Sequence, residues 1–185
     1  SRAAEGASQQ VSGIATATAL YTEKVRDTGA RITDTRKTTP GMRALEKEAI
    51  RTGGGVNHRM GLYDMIMLKD NHVDYAGGIS AAIIRTKEYL RIKGLDLKIE
   101  VEARNIREVR EILETGGADR IMLDNFNIPD TREAVTLIAG KCETESSGGI
   151  TLDNVRDYAL CGVDYISIGA LTHHIKSLDM SLKAY

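Results

Sequence analysis

Tryptophan is absent from this 185-residue chain, phenylalanine occurs once, and aromatic residues make up only 4% of it. That argues against a single-stranded nucleic-acid platform, which stacks bases on aromatic rings. An excess of charge is missing too: 25 basic and 26 acidic side chains leave a formal charge of -1. No electrostatic bias therefore points to nucleic acid or to a membrane surface. Cysteine is scarce. Cys142 and Cys161 are far apart and set among apolar neighbours, so they read as buried free thiols rather than a disulfide or a zinc site. No apolar run reaches the length of a membrane span, and no charged-apolar-small leader opens the chain. The expectation is a cytoplasmic protein with neither nucleic acid nor membrane as partner. Its length suits one domain with a real core.

What is present is an alternation. A leading helix is expected within residues 1–30, because Val11, Ile14, Thr18, Tyr21 and Val25 recur at steps of three and four. Six candidate strands follow: RITDT (31–35), MIMLKD (65–70), LKIEVE (97–102), RIMLDN (120–125), CETESS (142–147) and DYISIG (164–169). Most are near-continuous apolar runs, as expected when both faces are covered. Helical spacing separates them. Asn105 with Glu108 opens one such stretch and Gly116 closes it; Pro129 starts another and Gly140 ends it.

Alternating strands and helices imply a parallel sheet with right-handed crossovers. The last four units recur about every 22 residues, compact enough for a barrel. A doubly wound open sheet is the competitor. The polar residues favour the barrel: Asp34, Arg36 and Lys37, Lys69 and Asp70, Glu100 and Glu102, Asp124 and Asn125, Ser147 and Gly169 all end or follow strands. A parallel barrel gathers such positions on one face, whereas an open sheet spreads them along a line.

Arg36, Lys37, Arg43, His58, Arg59 and Lys69 form the basic group. Massing them at one mouth costs self-repulsion, which a multiply anionic ligand would relieve. The plain alternative is that each pairs with a neighbouring carboxylate. Glu102 and Asp124 end adjacent strands, where they fit a divalent cation, sugar hydroxyls or a cationic transition state; a salt bridge to Lys69 or Arg36 is the competing reading. SSGGIT (146–151) and SIGALTH (167–173) each link a strand to a helix, and amides beside Gly148, Gly149 and Gly169 suit phosphate. No zinc spacing, Ser-His-Asp order or dinucleotide fingerprint emerges. His58 and His173 suit hydrogen-bonding or phosphate roles, while His72 and His174 read as structural. The residues by themselves read as a site for a small polyanion and a phosphorylated sugar, with group transfer between them.

TRKTTPGMR (35–43), GGGVNHRMGLYDMIMLKDNH (53–72), IEVE (99–102), IMLDN (121–125), SSGGIT and VDYISIGALTH (163–173) resemble the quinolinate phosphoribosyltransferase family, nicotinate-nucleotide pyrophosphorylases of NAD synthesis. The resemblance runs over residues 12–183. It implies an incomplete TIM-like α/β barrel of six or seven strands over residues 31–185, a homodimer, and Mg2+ as cofactor. The reaction implied joins quinolinate to phosphoribosyl pyrophosphate, giving nicotinate mononucleotide, carbon dioxide and pyrophosphate. Carried over by position, Arg36, His58, Arg59 and Lys69 would hold the quinolinate carboxylates and Lys37 the phosphoribosyl pyrophosphate. Glu102 and Asp124 would meet ribose and Mg2+, and with Lys69 form the catalytic group. Ser147, Gly148, Gly149, Gly169 and His173 would take the phosphate.

Two departures bear on that expectation. The family carries an N-terminal α+β domain of roughly 100 residues, an ordinary domain size, that this sequence does not contain. The leading segment SRAAEGASQ puts Glu5 and Ser8 where the family pattern has apolar residues, as solubility requires once a partner surface is removed. An excised or engineered barrel that binds phosphate or dicarboxylate without turnover is the alternative expectation.

Overall fold

The computed structural model describes residues 2–173 and 178–179; the side chains of residues 2–5 and 173 lie outside that description. The first element is α1 (Arg2–Val25), which covers most of the expected leading segment. Its buried stripe is Ile14, Thr18, Tyr21 and Val25, and Thr18 satisfies its own hydroxyl by donating to the Ile14 carbonyl at 2.8 Å. The chain then enters β1 (Arg31–Thr33), α2 (Arg43–Thr52) and β2 (Ile66–Leu68). Two helices follow, α3 (Asp70–Ala76) and α4 (Ile79–Lys93), before β3 (Ile99–Ala103). The remaining units are α5 (Ile106–Thr115), β4 (Arg120–Asp124), α6 (Ile128–Ile138) and β5 (Glu143–Ser147). The last are α7 (Val155–Ala159), β6 (Tyr165–Ser167) and α8 (Ala170–His173).

Five of the six strands fall inside their expected runs, trimmed at one or both ends, and β3 extends one residue past its own, to Ala103. β2 ends at Leu68, so Lys69 is the N-cap of α3 rather than a strand residue. Asn105 accepts the Glu108 amide at 3.1 Å, and Glu108 answers by accepting the Arg104 amide at 2.7 Å, a reciprocal closure of the helix start. At the other end of α6 the left-handed cap is Ala139 (φ 48) rather than Gly140, which follows it (φ 73).

All strand pairs are parallel, in the order β1-β6-β5-β4-β3-β2. That is a ring in chain order, opened between β1 and β2. A doubly wound sheet would instead reverse its order at an internal switch point. The ring is an incomplete barrel. On the free side of β1, Thr33 bridges to Val56, whose amide donates to the Ile32 carbonyl at 2.8 Å. The triple glycine makes this approach feasible. A Cβ on Gly53 would lie 2.4 Å from the Ala15 carbonyl oxygen, and one on Gly55 would lie 2.9 Å from both Ile50 and Thr18 methyls. These glycines serve close packing of the loop onto α1.

Strand alternation sorts the two faces. Ile99, Val101, Ala103, Ile121, Leu123, Ile166 and Ile168 face the helices and meet Ile83, Val109, Ile112, Ala134 and Ile138 in one apolar core. The inner face is polar: Glu100 and Glu102 on β3, Arg120 and Asp124 on β4, Glu143, Glu145 and Ser147 on β5. At the amino ends of the strands Arg120 pairs with Glu143 and Glu145, both at 3.0 Å. Its guanidinium lies 3.8 Å from the Tyr165 ring centroid, and that of Arg31 at 4.4 Å. This plug shuts one end of the barrel. Both cysteines are free, Cys161 buried and Cys142 half-buried. Among the described residues no helix is long and apolar enough to cross a membrane.

Candidate active site

The other end opens into a cavity of about 760 Å³. Arg36, Lys37, His58, Arg59, Lys69, Glu102, Asp124, Ser147, Gly148, Gly149 and Gly169 all line it. They come from the ends of all six strands and from the 53–65 loop, so distance in sequence becomes adjacency in space. Two expected residues stand apart. Arg43 is not on the wall: it donates to Thr38 Oγ1 at 3.0 Å and to the carbonyls of Met60 and Arg36 at 3.3 Å, tying loops together behind the site. The side chain of His173 lies outside the described residues, as does His174. His72 is exposed and its Nδ1 accepts the Lys69 amide at 3.1 Å, a helix-start contact.

The cationic side is built around two guanidinium groups that repel each other. Arg59 donates through one terminal nitrogen to the Met65 carbonyl at 3.1 Å. Its Nε, and that of Arg36, are buried with no hydrogen-bond partner among the described residues. Burial first, and the Arg36 charge second, hold the Arg59 pKa below its ordinary value. An unpartnered donor in a dry place is costly, and two of them side by side mark a place shaped for an anion.

Beneath them lies a different arrangement. The Arg59 amide nitrogen lies 2.8 Å from His58 Nδ1, and Nε2 faces Glu100 at 3.0 Å and Glu145 at 3.3 Å. Neither carboxylate lies on the N–H axis well enough for a regular hydrogen bond, so the attraction is chiefly ionic. Burial by itself would lower the His58 pKa, but the two carboxylates outweigh it and push it up to about 9. Burial, then Glu145, raises Glu100 to about 7. Glu145 is equally buried, yet His58 and Arg120 hold its carboxyl below the ordinary range. Two acids thus offset two bases in the barrel interior. The same three groups have the spacing of a cation site, but His58 and Arg120 already supply the positive charge that an ion would bring.

On the acidic side Glu102 is buried and Lys69 Nζ lies 3.5 Å from it, the salt bridge expected as the competing reading. Burial raises the Glu102 pKa, Lys69 opposes that, and Asp124 adds to it. Asp124 accepts Asn125 Nδ2 at 3.0 Å. Two hard oxygen donors that disfavour each other's charge fit Mg2+ by donor chemistry. Beside them, after the neighbouring strand β5, Gly148 (φ 89) and Gly149 (φ 63) take left-handed conformations. A Cβ on Gly148 would lie 2.3 Å from Asn125 Oδ1, so no other residue fits without displacing Asn125.

Sequence reasoning missed Glu145, Met67, Met122 and Ser167 on the cavity wall. The two-residue period of CETESS held the signal for Glu145: with Ser147 facing in, so does the residue two before it.

A family model described as quinolinate phosphoribosyl transferase, C-terminal domain, matches residues 14–183. The chain is 48% identical over 189 residues to the chloroplastic nicotinate-nucleotide pyrophosphorylase (carboxylating) of Arabidopsis thaliana, covering 95% of this chain and 54% of that protein. It is 47% identical to quinolinate phosphoribosyltransferase (decarboxylating) 1b of Nicotiana tabacum, covering 95% and 53%. The crystal structure of NadC from Streptococcus pyogenes superposes with a TM-score of 0.91 at 42% identity, over 99% of this chain and 63% of that one. The chain thus spans about half the length of the curated relatives it matches.

Proposed function

This chain belongs to the quinolinate phosphoribosyl transferase family, and we propose that its cavity transfers a phosphoribosyl group from phosphoribosyl pyrophosphate to quinolinate, with decarboxylation to nicotinate mononucleotide. The observation that carries this reading is the pair of buried, unpartnered guanidinium nitrogens on Arg36 and Arg59. A pyridine dicarboxylate supplies two planar anions for two planar cations. Lys69 adds a mobile charge, and His58 contributes its positive charge from below. Lys37, an exposed cation of the cavity wall, meets phosphoribosyl pyrophosphate. Ser147, Gly148, Gly149, Gly169 and His173 take its phosphate.

The chemistry then follows from charge. The ring nitrogen of quinolinate bonds to the anomeric carbon as the carbon–oxygen bond to pyrophosphate breaks. The ribosyl carbon becomes cationic on the way, and Glu102 and Asp124 stabilise that charge through nearby carboxylates. Mg2+, held by the same two residues, would supply positive charge to the departing pyrophosphate. Ribosylation leaves the ring nitrogen cationic. The adjacent carboxylate departs as carbon dioxide, its bonding pair stays on the ring carbon, and a proton from water fills that position. Lys69 remains in contact with Glu102, and no residue is required as a dedicated base. The same reading takes the working unit to be a homodimer in the cytoplasm, whose α+β front domain occupies the remaining length of the relatives.

The direct test mixes the chain with quinolinate, phosphoribosyl pyrophosphate and Mg2+ and looks for nicotinate mononucleotide. Product is the expected result. Quinolinate binding without product would favour a barrel that captures phosphate and dicarboxylate without turnover, and absence of both product and binding would overturn the reading.

A further inference from the structure

Lys47 is 1% exposed and Asp34 is fully buried. Nothing in the apolar core demands such a pair. Apolar residues of similar volume commonly do as well or better for stability, because removing two charges from water is costly. What apolar residues do not offer is a set of hydrogen bonds, and this pair directs them at one place. Lys47 Nζ has three donors and uses all three: on Asp34 Oδ1 and Oδ2, each at 2.9 Å, and on the His58 carbonyl at 3.1 Å. Asp34 Oδ1 in turn accepts the His58 amide at 2.7 Å. Both backbone polar groups of His58 therefore end on one ion pair.

The consequence reaches Arg59. With the His58 peptide fixed, the backbone entering Arg59 is fixed as well, and the Arg59 side chain reaches the Met65 carbonyl at 3.1 Å. The residue sits in a loop without regular structure and faces the repulsion of Arg36. It needs an anchor that does not consume its own charge. Carboxylates placed beside Arg59 would aim it equally well, and they would also occupy the donors an anion needs.

We propose that Asp34 and Lys47 are positioning residues of the anion site, fixing the His58 peptide so that Arg59 points into the cavity with its charge unspent. The proposal rests on the dicarboxylate reading of Arg36 and Arg59 given above. It goes beyond that reading by naming two residues, one of them on α2 and off the cavity wall, as determinants of affinity for one of the two ligands only.

Phthalate and inorganic pyrophosphate serve as separate calorimetric probes of the unmodified chain and of the D34N/K47M double variant, which strands no charge. The double variant is expected to keep its melting temperature within a few degrees and to lose phthalate affinity by about tenfold or more, while pyrophosphate affinity holds. A merely structural role would lower both together. Unchanged phthalate affinity, or an equal loss for both anions, overturns the proposal. If the unmodified chain binds no phthalate, the dicarboxylate reading fails and this proposal with it. If it binds phthalate and the variant binds equally well, this proposal alone fails. Should the double variant not fold, amide exchange on the unmodified chain decides: the His58 amide is expected to open only on global unfolding, and exchange as fast as that of Leu62 or Tyr63 overturns the proposal.

Discussion

Two groups of cations sit a few residues apart in this barrel and behave in opposite ways. His58 and Arg120 are buried against Glu100 and Glu145 and spend their charge on them. Arg36 and Arg59 line the cavity above, with buried Nε groups that meet no acceptor. Pairing makes the first group part of the frame. The lack of pairing makes the second group a receptor, because its electrostatic cost is recovered only when an anion arrives. Adjacent residues, His58 and Arg59, fall on either side of that divide.

The comparison breaks most visibly at Glu145. Replacing it with Ala leaves His58 with Glu100 alone and Arg120 with Glu143 alone, and loss of one partner from a buried ion group costs about 3–5 kcal/mol. A large fall in the denaturant midpoint is expected, and a fall of less than 1 kcal/mol would show that the interior charges are not a frame. Arg59→Ala gives the converse pattern. Dicarboxylate affinity should fall by about 2 kcal/mol while melting temperature holds, since no protein acceptor at Nε is abandoned. Titration with phthalate beside a melting curve checks both halves.

The frame also has a pH signature. His58 is raised from 6.5 to about 9 in the fold, so its contribution is complete below pH 6.5 and lost as pH rises through 9. Glu100, raised from 4.5 to about 7, pulls in the same direction across its own window. Stability should therefore decline between pH 6.5 and 9.5 by roughly 3 kcal/mol, and His58→Gln should flatten that slope. The smallest effect belongs to a part remote from both groups. Asn105→Ala removes the α5 cap and should cost about 1 kcal/mol with no change in ligand affinity.

The strands could be read in advance because most are short, near-continuous apolar runs set between helical spacings, a pattern local to each strand. The convergence of Arg36, Arg59, Lys69, Glu102, Asp124 and Gly148 on one cavity followed from parallel topology. Other features had no local signal. Lys47 looks like any lysine in a charged helix, and only the packing of α2 on α1, with Asp34 and the His58 loop closing over its head group, buries it. Glu100 reads as a mouth residue by its place near a strand end, yet two residues of strand rise put it beneath Glu102, in the frame. The triple glycine at 53–55 gives no local sign of what it packs against. Its close contacts with Ala15, Thr18 and Ile50 depend on where α1 lies, which no window of sequence around residue 53 contains.

The most direct test of the receptor role of Arg36 and Arg59 is a side-by-side titration of the unmodified chain with quinolinate and with nicotinate, which differ by one carboxylate. Two unspent guanidinium groups predict that quinolinate binds at least about tenfold more tightly, with the margin lost in Arg36→Ala or Arg59→Ala. Equal affinity for the two pyridines, unaffected by either substitution, would contradict it.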